Sequence, residues 1–453
     1  MPPPRPVRPP ADRARGFRHE GPCIDCPRRQ DGRRSRHLRG RRGNAKVSDA
    51  AAAPTRGVPL LTVFAEPDFR RLWIVGLVIF GVRWIETIAV AVFVYQERGS
   101  ALLVATMMLL RLVPMALLGA FLGAWAERME RRTALLLIVL ASFATSLTLG
   151  LLAMAGVLQV WHLAVASFIN GISWAADNPV RRMMLGQVVG AGRMSAAMSV
   201  DVGTNNASRM LGPTLGGLLL ATTGIQGPFL LSALFYLVAI GATLRLAYRN
   251  EAQAPSGEGL LSRVAAGVTL VLGDKRLTGV MIVTLIYNIF AWPTTSMVPV
   301  IGQDRLLLGA EGVGFLASMD GVGAFFGALL IAWLARPERY ARLYVGGVAS
   351  YSALMALFAL LPHVFPSGLA LLLAGLGGSG FSIMQTTLVF LATPPEMRSR
   401  VLGLLSVCIG VGPIGFIHLG LLADAIGAHY AVAFSGAEGL LALWLARRWW
   451  RAI

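Results

Sequence analysis

The chain has 453 residues and a formal net charge of +18, yet only 14% of its residues are charged and 55% are hydrophobic. Soluble domains carry about 25% charged residues, so this balance, with a mean hydropathy of +0.63, excludes an ordinary cytosolic enzyme, and the apolar body excludes a nucleic-acid-binding protein. Three cysteines make no disulfide framework, and no Walker A, H-E-x-x-H or G-x-S-x-G motif is present, so no cofactor and no catalytic metal is expected.

Residues 1–57 form the first segment, a tail rich in Arg, Pro and Gly with 15 Lys/Arg against 5 Asp/Glu. It has too few large apolar residues to bury a core and is expected to be disordered. Cys23 and Cys26, flanked by His19 and His37, have the spacing of half a zinc site with no second half. The text from Val47 onward looks like an ordinary polar protein start, so residues 1–46 are expected not to be translated.

Twelve apolar stretches follow, near the length of about 20 residues that a membrane-spanning helix needs. They fall at 72–95, 101–126, 133–155, 161–177, 197–222, 228–246, 277–301, 313–335, 343–361, 368–392, 401–423 and 430–445. With the N-terminus in the cytoplasm, 21 Lys/Arg lie at inside ends and only Arg98 and Arg305 outside. That asymmetry puts both termini inside. The chain also repeats itself at an offset of 208: Gly119, Ala124-Trp125 and Arg128-x-Glu130-Arg131 reappear as Gly327, Ala332-Trp333 and Arg336-x-Glu338-Arg339. The expectation is an all-α membrane protein of 12 transmembrane helices in two six-helix halves, residues 58–247 and 276–453. A cytoplasmic linker at 248–275 joins them and contains an amphipathic helix. Two repeats around a midplane site are the architecture of a secondary transporter.

Three motifs carry a family resemblance. The loop after the second span reads Gly119-x-x-x-Gly123-Ala-Trp-Ala-Glu127-Arg128-Met-Glu130-Arg131-Arg132. The fifth span has Asn206-x-x-Arg209-x-x-Gly212-Pro213-x-x-Gly216-Gly217, and the eleventh is preceded by Pro395-Glu396-Met-Arg398-Ser-Arg400-Val401. The chain resembles the major facilitator superfamily, and within it the secretion-effector branch of enterobactin-exporter-like and macrolide-efflux-like proteins. The resemblance implies the major facilitator fold, proton-coupled export, and a gating role for Gly119, Gly123, Glu127, Arg128, Arg131 and Arg132. Glu127 stands where the family motif has Asp. Ser167 stands where drug antiporters carry an Arg, a departure from the pattern of standard proton–drug antiport.

Charges inside a membrane are costly and therefore functional candidates. Arg83 and Glu86 lie three apart on one helix face; they are either a structural pair, with Arg111 beside them, or Glu86 is a proton-binding carboxylate. Asp320 has no basic partner in its own half and is the second candidate for proton coupling. Arg83, Arg111 and Arg209 against Glu86 and Asp320 leave one positive charge in excess, which leans toward an anionic or metal-chelating substrate. Trp84, Asn170, Trp174, Asn205, Tyr287, Asn288, Trp292 and Gln385 are candidates to line the cavity. Gly212, Pro213, Gly216 and Gly217 form a helix-packing face. Pro293 and Pro299 free backbone carbonyls and permit bending. Asp177 and Asp201 lie toward the cytoplasmic ends of their spans. Cys408 and His418 read as packing residues. The expected partners are a small-molecule substrate, protons and the lipid bilayer, with no nucleic acid, and the chain is expected to be a monomer. A multidrug or macrolide pump is the nearest alternative to a siderophore-like exporter. A membrane sensor or scaffold that moves nothing is the third reading.

Overall fold

A computed structural model describes residues 60–190, 193–248, 268–394, 397–451 and 453. The side chains of residues 119–128 are outside that description, as are the tail with Cys23, Cys26 and Val47, most of the 248–275 linker, Pro395 and Glu396. Whatever the motifs assign to Gly119, Gly123, Glu127 and Arg128 as side chains lies outside the described residues.

The first bundle contains α1 (Pro67–Arg98), α2 (Ala101–Arg128), α3 (Arg131–Met154), α4 (Val160–Val189), α5 (Met194–Thr223) and α6 (Gln226–Leu244). The second contains α7 (Lys275–Ile286), α8 (Val298–Asp304), α9 (Ala310–Leu334), α10 (Tyr340–Leu360), α11 (Val364–Ala392), α12 (Arg398–Ile409), α13 (Gly412–Ile426) and α14 (Ala428–Leu445). Among the described residues, nine helical stretches are long and apolar enough to cross a membrane. The helices α4, α5 and α14 are comparably long but do not meet that criterion. The first two carry Asn170, Asp177, Arg181, Asp201, Asn205 and Arg209, which lower their mean hydropathy.

Within the first bundle α2 packs on α4, α1 on α5 and α6, and α3 on α4 and α6. Within the second, α11 packs on α9 and α10, and α10 on α14. The bundles meet through α5 against α9 and α2 against α13. Small residues make the first of these contacts possible. A Cβ on Gly217 would lie 2.9 Å from the Gly314 Cα, and one on Gly216 would lie 2.5 Å from the Ile85 carbonyl oxygen. The motif around Gly212, Pro213, Gly216 and Gly217 therefore seats α5 on α1 with one face and on α9 with the other. Thr214 and Ser318 add a hydroxyl pair at 2.8 Å across the same contact.

Two expected spans are not regular helices. The run from Lys275 to Asp304 changes from α to a π-turn over Tyr287–Ala291 and a 3-10 segment over Trp292–Met297. Pro293 has no N–H to donate, and the carbonyls released nearby find hydroxyl donors instead. Ser435 donates to the Phe290 carbonyl at 2.9 Å, Thr294 to that of Ala291 at 2.5 Å and Ser296 to that of Pro293 at 2.7 Å. The 401–423 span is interrupted between Ile409 and Gly412, where Pro413 cannot continue the helical ladder. A third difference is length: α4 runs on to Val189 rather than ending near 177, because its charges are paired inside the bundle.

Candidate functional site

Glu86 in α1 is a carboxylate buried in the first bundle, 3% exposed. It accepts hydrogen bonds from the Ser146 hydroxyl of α3 at 2.6 Å and from the Asn170 amide of α4 at 3.3 Å. The paired reading of Arg83 and Glu86 is not what the geometry has. The Arg83 guanidinium turns away and lies over the Trp174 ring, 4.4 Å from its centroid. Arg111 of α2 donates to the Thr87 hydroxyl and, at 3.5 Å, to the Arg83 carbonyl. Three residues on one helix face share a direction, but the neighbouring helices decide which partner each side chain reaches.

Two cavities flank this cluster. One is walled by Glu86, Thr87, Arg111 and Asn170 together with apolar residues such as Met107 and Phe229. The other is walled by Arg83, Arg111, Ser142, Asn170, Trp174 and Tyr236.

A third cavity, the roomiest of the three, lies between the bundles, with Trp84, Arg209, Trp292, Thr295 and Asp320 on its wall. Here Arg209 of α5 forms an ion pair with Asp320 of α9, closing across the interface. Asp320 lacks a basic partner only within its own half; the other half supplies one. The pair leaves the Arg209 Nε, the Asp320 Oδ1 and the nearby Trp84 Nε1 buried without a hydrogen-bond partner among the described residues.

Other candidates go elsewhere. Tyr287 stacks on Phe381 with centroids 3.8 Å apart. Asn288 donates to the Thr284 carbonyl at 2.9 Å, and Gln385 to the Thr284 hydroxyl at 3.0 Å. These contacts lie within the second bundle, with Tyr287 also within electrostatic reach of Arg209 and Asp320. Asn205 is half-buried on α5, and it is its neighbour Thr204 that accepts the Trp73 indole N–H, at 2.9 Å. Arg131 donates to the Gln187 side chain of α4, and Arg132 to the Leu244 carbonyl at the end of α6 at 2.5 Å. Both stay within the first bundle. Cys408 is buried, and His418 sits 3.2 Å from Glu438.

One charged centre escaped the reading of the sequence. Arg181, counted there only as a cytoplasmic-side charge, is 0% exposed. Its Nε donates to Asp177 at 3.1 Å, and its Nη1 pairs with Asp201 of α5. The signal was the i, i+4 spacing of Asp177 and Arg181 on a helix. A Cβ on Gly76 would lie 2.8 Å from the Arg181 guanidinium, so α1 leaves room for it.

The bundles are tied toward one end. Tyr95 donates to Asp304, and the Leu102 N–H at the start of α2 donates to the Asp424 carboxylate at 3.2 Å. Asp424 thus caps a helix of the opposite bundle. With Thr214–Ser318 and Arg209–Asp320, these ties lie between the middle of the molecule and the end where α1 stops and α9 starts. A cavity between two helical bundles, with ties between them toward one end and buried charge on its wall, is the form of a membrane transporter.

The sequence profile of the transmembrane secretion effector family matches residues 59–450. The chain belongs to this family. It is a multi-pass transporter of the plasma membrane in the secretion-effector branch of the major facilitator superfamily. It is 21% identical over 353 residues to macrolide efflux protein A of Streptococcus pyogenes, across 77% of this chain and 87% of that one. It is 27% identical over 366 residues to the multidrug efflux pump Tap of Mycolicibacterium fortuitum, across 76% and 86%. It is 22% identical over 351 residues to the staphyloferrin A transporter of Staphylococcus aureus, across 76% and 86%. Among solved structures, a POT family transporter in complex with 5-aminolevulinic acid superposes with a TM-score of 0.68 at 13% identity, covering 83% of this chain and 94% of that one. That likeness concerns the fold.

Proposed function

We propose that this transporter is a proton-coupled exporter of an amphipathic small molecule, siderophore-like in character, working by alternating access. The observation that carries the reading is the cavity between the bundles, tied shut toward one end and walled by the Arg209–Asp320 pair. Twelve spanning helices in two six-helix halves, 58–247 and 276–453, fit α4, α5 and α14 being spans despite their polar content. The Lys/Arg asymmetry supports cytoplasmic termini, which makes the tied end extracellular and the state cytoplasm-facing. Among the described residues, Arg131 and Arg132 bond within their own bundle in this state; on closure of the cytoplasmic side this segment would engage the second bundle. Glu86 is the leading proton carrier, because its partners are neutral side chains rather than a cation. The chain acts as a monomer.

The test is mass spectrometry of spent medium and cell extract, with and without the gene, under iron limitation. A metal-chelating metabolite lost from medium and gained in cells supports the reading. No difference moves the weight to multidrug or macrolide efflux, in keeping with the names of two of its relatives. A panel of toxic compounds then tests that alternative.

A further inference from the structure

We propose that the pocket between Arg83 and Arg111, inside the first bundle, binds the carboxylate of an amphipathic organic anion, with the adjoining apolar chamber taking its body. The proposal rests on the exporter reading for its place on the transport path and names the substrate class.

Arg209 is removed from the count of buried charges by Asp320, its partner across the interface. Asp177 and Asp201 are taken by Arg181, with Arg182 a further 3.8 Å from Asp201. What remains in the first-bundle core is Arg83 and Arg111 against Glu86. Among the described residues, neither guanidinium has a carboxylate within 4.0 Å. Glu86 is occupied by Ser146 and Asn170 instead. The buried charges of the first bundle, Arg83, Arg111 and Arg181 against Glu86, Asp177 and Asp201, balance overall, but Arg83 and Arg111 are the two cations without a direct carboxylate contact.

Donors are in excess. The Arg83 side chain donates no hydrogen bond to a described residue; its guanidinium lies over Trp174, with Phe80 5.5 Å away. Stacking occupies the face of the group and leaves its in-plane N–H fork free. Arg111 spends its Nη1 on Thr87 and the Arg83 carbonyl, while its Nε is buried without a partner among the described residues. A buried donor in a native protein ordinarily has an acceptor. A carboxylate, planar and with two oxygens, is the acceptor that fits a guanidinium fork.

The shape agrees. The crevice that both arginines share is also walled by Ser142, Asn170, Ser173 and Tyr236. Beyond Arg111 and Asn170 lies a second crevice, walled by Val90, Leu149 and Phe229 among others, which must widen to take the apolar body. A charged head and an apolar body are thus served side by side, with Glu86 close enough to compete with the head for positive charge.

The experiment uses the full chain in lipid nanodiscs, with naphthoate and its neutral isostere naphthamide as probes and calorimetry as the readout. Naphthoate is expected to bind about tenfold more tightly than naphthamide. Arg83→Gln and Arg111→Gln are each expected to erase that preference, Arg83→Lys to keep part of it, and Glu86→Gln to tighten naphthoate binding. The Lys and Glu86 variants keep the test open should a Gln variant not fold. Absence of naphthoate binding, equal binding of acid and amide, or a preference untouched in folded Arg83→Gln and Arg111→Gln overturns the proposal. Binding in nanodiscs needs no gradient. Acid preference without any metabolite difference in cells therefore overturns the siderophore-like reading and leaves the anion site, while the opposite pattern leaves that reading and overturns the site.

Discussion

Arg209 and Asp320 are 111 residues apart in the chain and meet across the interface of the two bundles. A buried pair of this kind gains little on balance, but removing one partner leaves a bare charge and costs about 3–5 kcal/mol. Asp320→Asn and Arg209→Gln are therefore each expected to lower the midpoint of thermal unfolding in detergent. The double substitution is expected to lower it by less than the two effects added, since it leaves no unpaired charge. Glu86 sits differently, held by a hydroxyl and an amide. If it carries the coupling proton, Glu86→Gln removes the pH dependence of transport; transport with the wild-type pH profile would take it off the proton path. The structural role is measured separately: Ser146→Ala removes one hydrogen bond and is expected to cost about 1 kcal/mol, with folding intact.

Elements respond to close approach. The α5–α9 contact depends on glycines whose backbones touch, so Gly217→Leu or Gly314→Leu must push the bundles apart. Either change is expected to reduce transport to near background while the protein still inserts, as measured by export from loaded cells. Gly81→Ala in α1 is the control: its Cβ meets nothing within 4 Å, and alanine favours a helix by about 1 kcal/mol. The glycine and proline spacing of α5 was legible as a packing face. Its two partners were not, because small residues state that something comes close without stating what. Pro293 likewise announced a bend, while the π-turn and 3-10 geometry that result depend on the hydroxyls around them.

At the scale of the whole molecule, orientation and state are open to direct measurement. In a cysteine-free background, Arg98→Cys and Arg305→Cys are expected to react with a membrane-impermeant maleimide in intact cells, and Arg336→Cys only after lysis. The reverse pattern would invert the topology. The ties at Tyr95–Asp304 and Leu102–Asp424 hold the outer end closed in this reading. Tyr95→Phe combined with Asp424→Asn is expected to raise outside labelling of Ala91→Cys, a residue on the wall of the central cavity. Unchanged labelling would mean that glycine packing alone seals that end.

What the sequence determined by itself was the membrane setting, the position of most spans, the repeat and the family resemblance. All of these follow from local hydropathy and from short motifs. The tertiary structure decided which charges answer one another. Arg83 and Glu86 share a helix face and part company, Arg181 goes from a surface charge to a fully buried one, and Asp320 finds its cation in the other bundle. The physical reason is that a side chain in a helix bundle is paired by whichever helix lies against its face, and that contact is made by residues far apart in the chain.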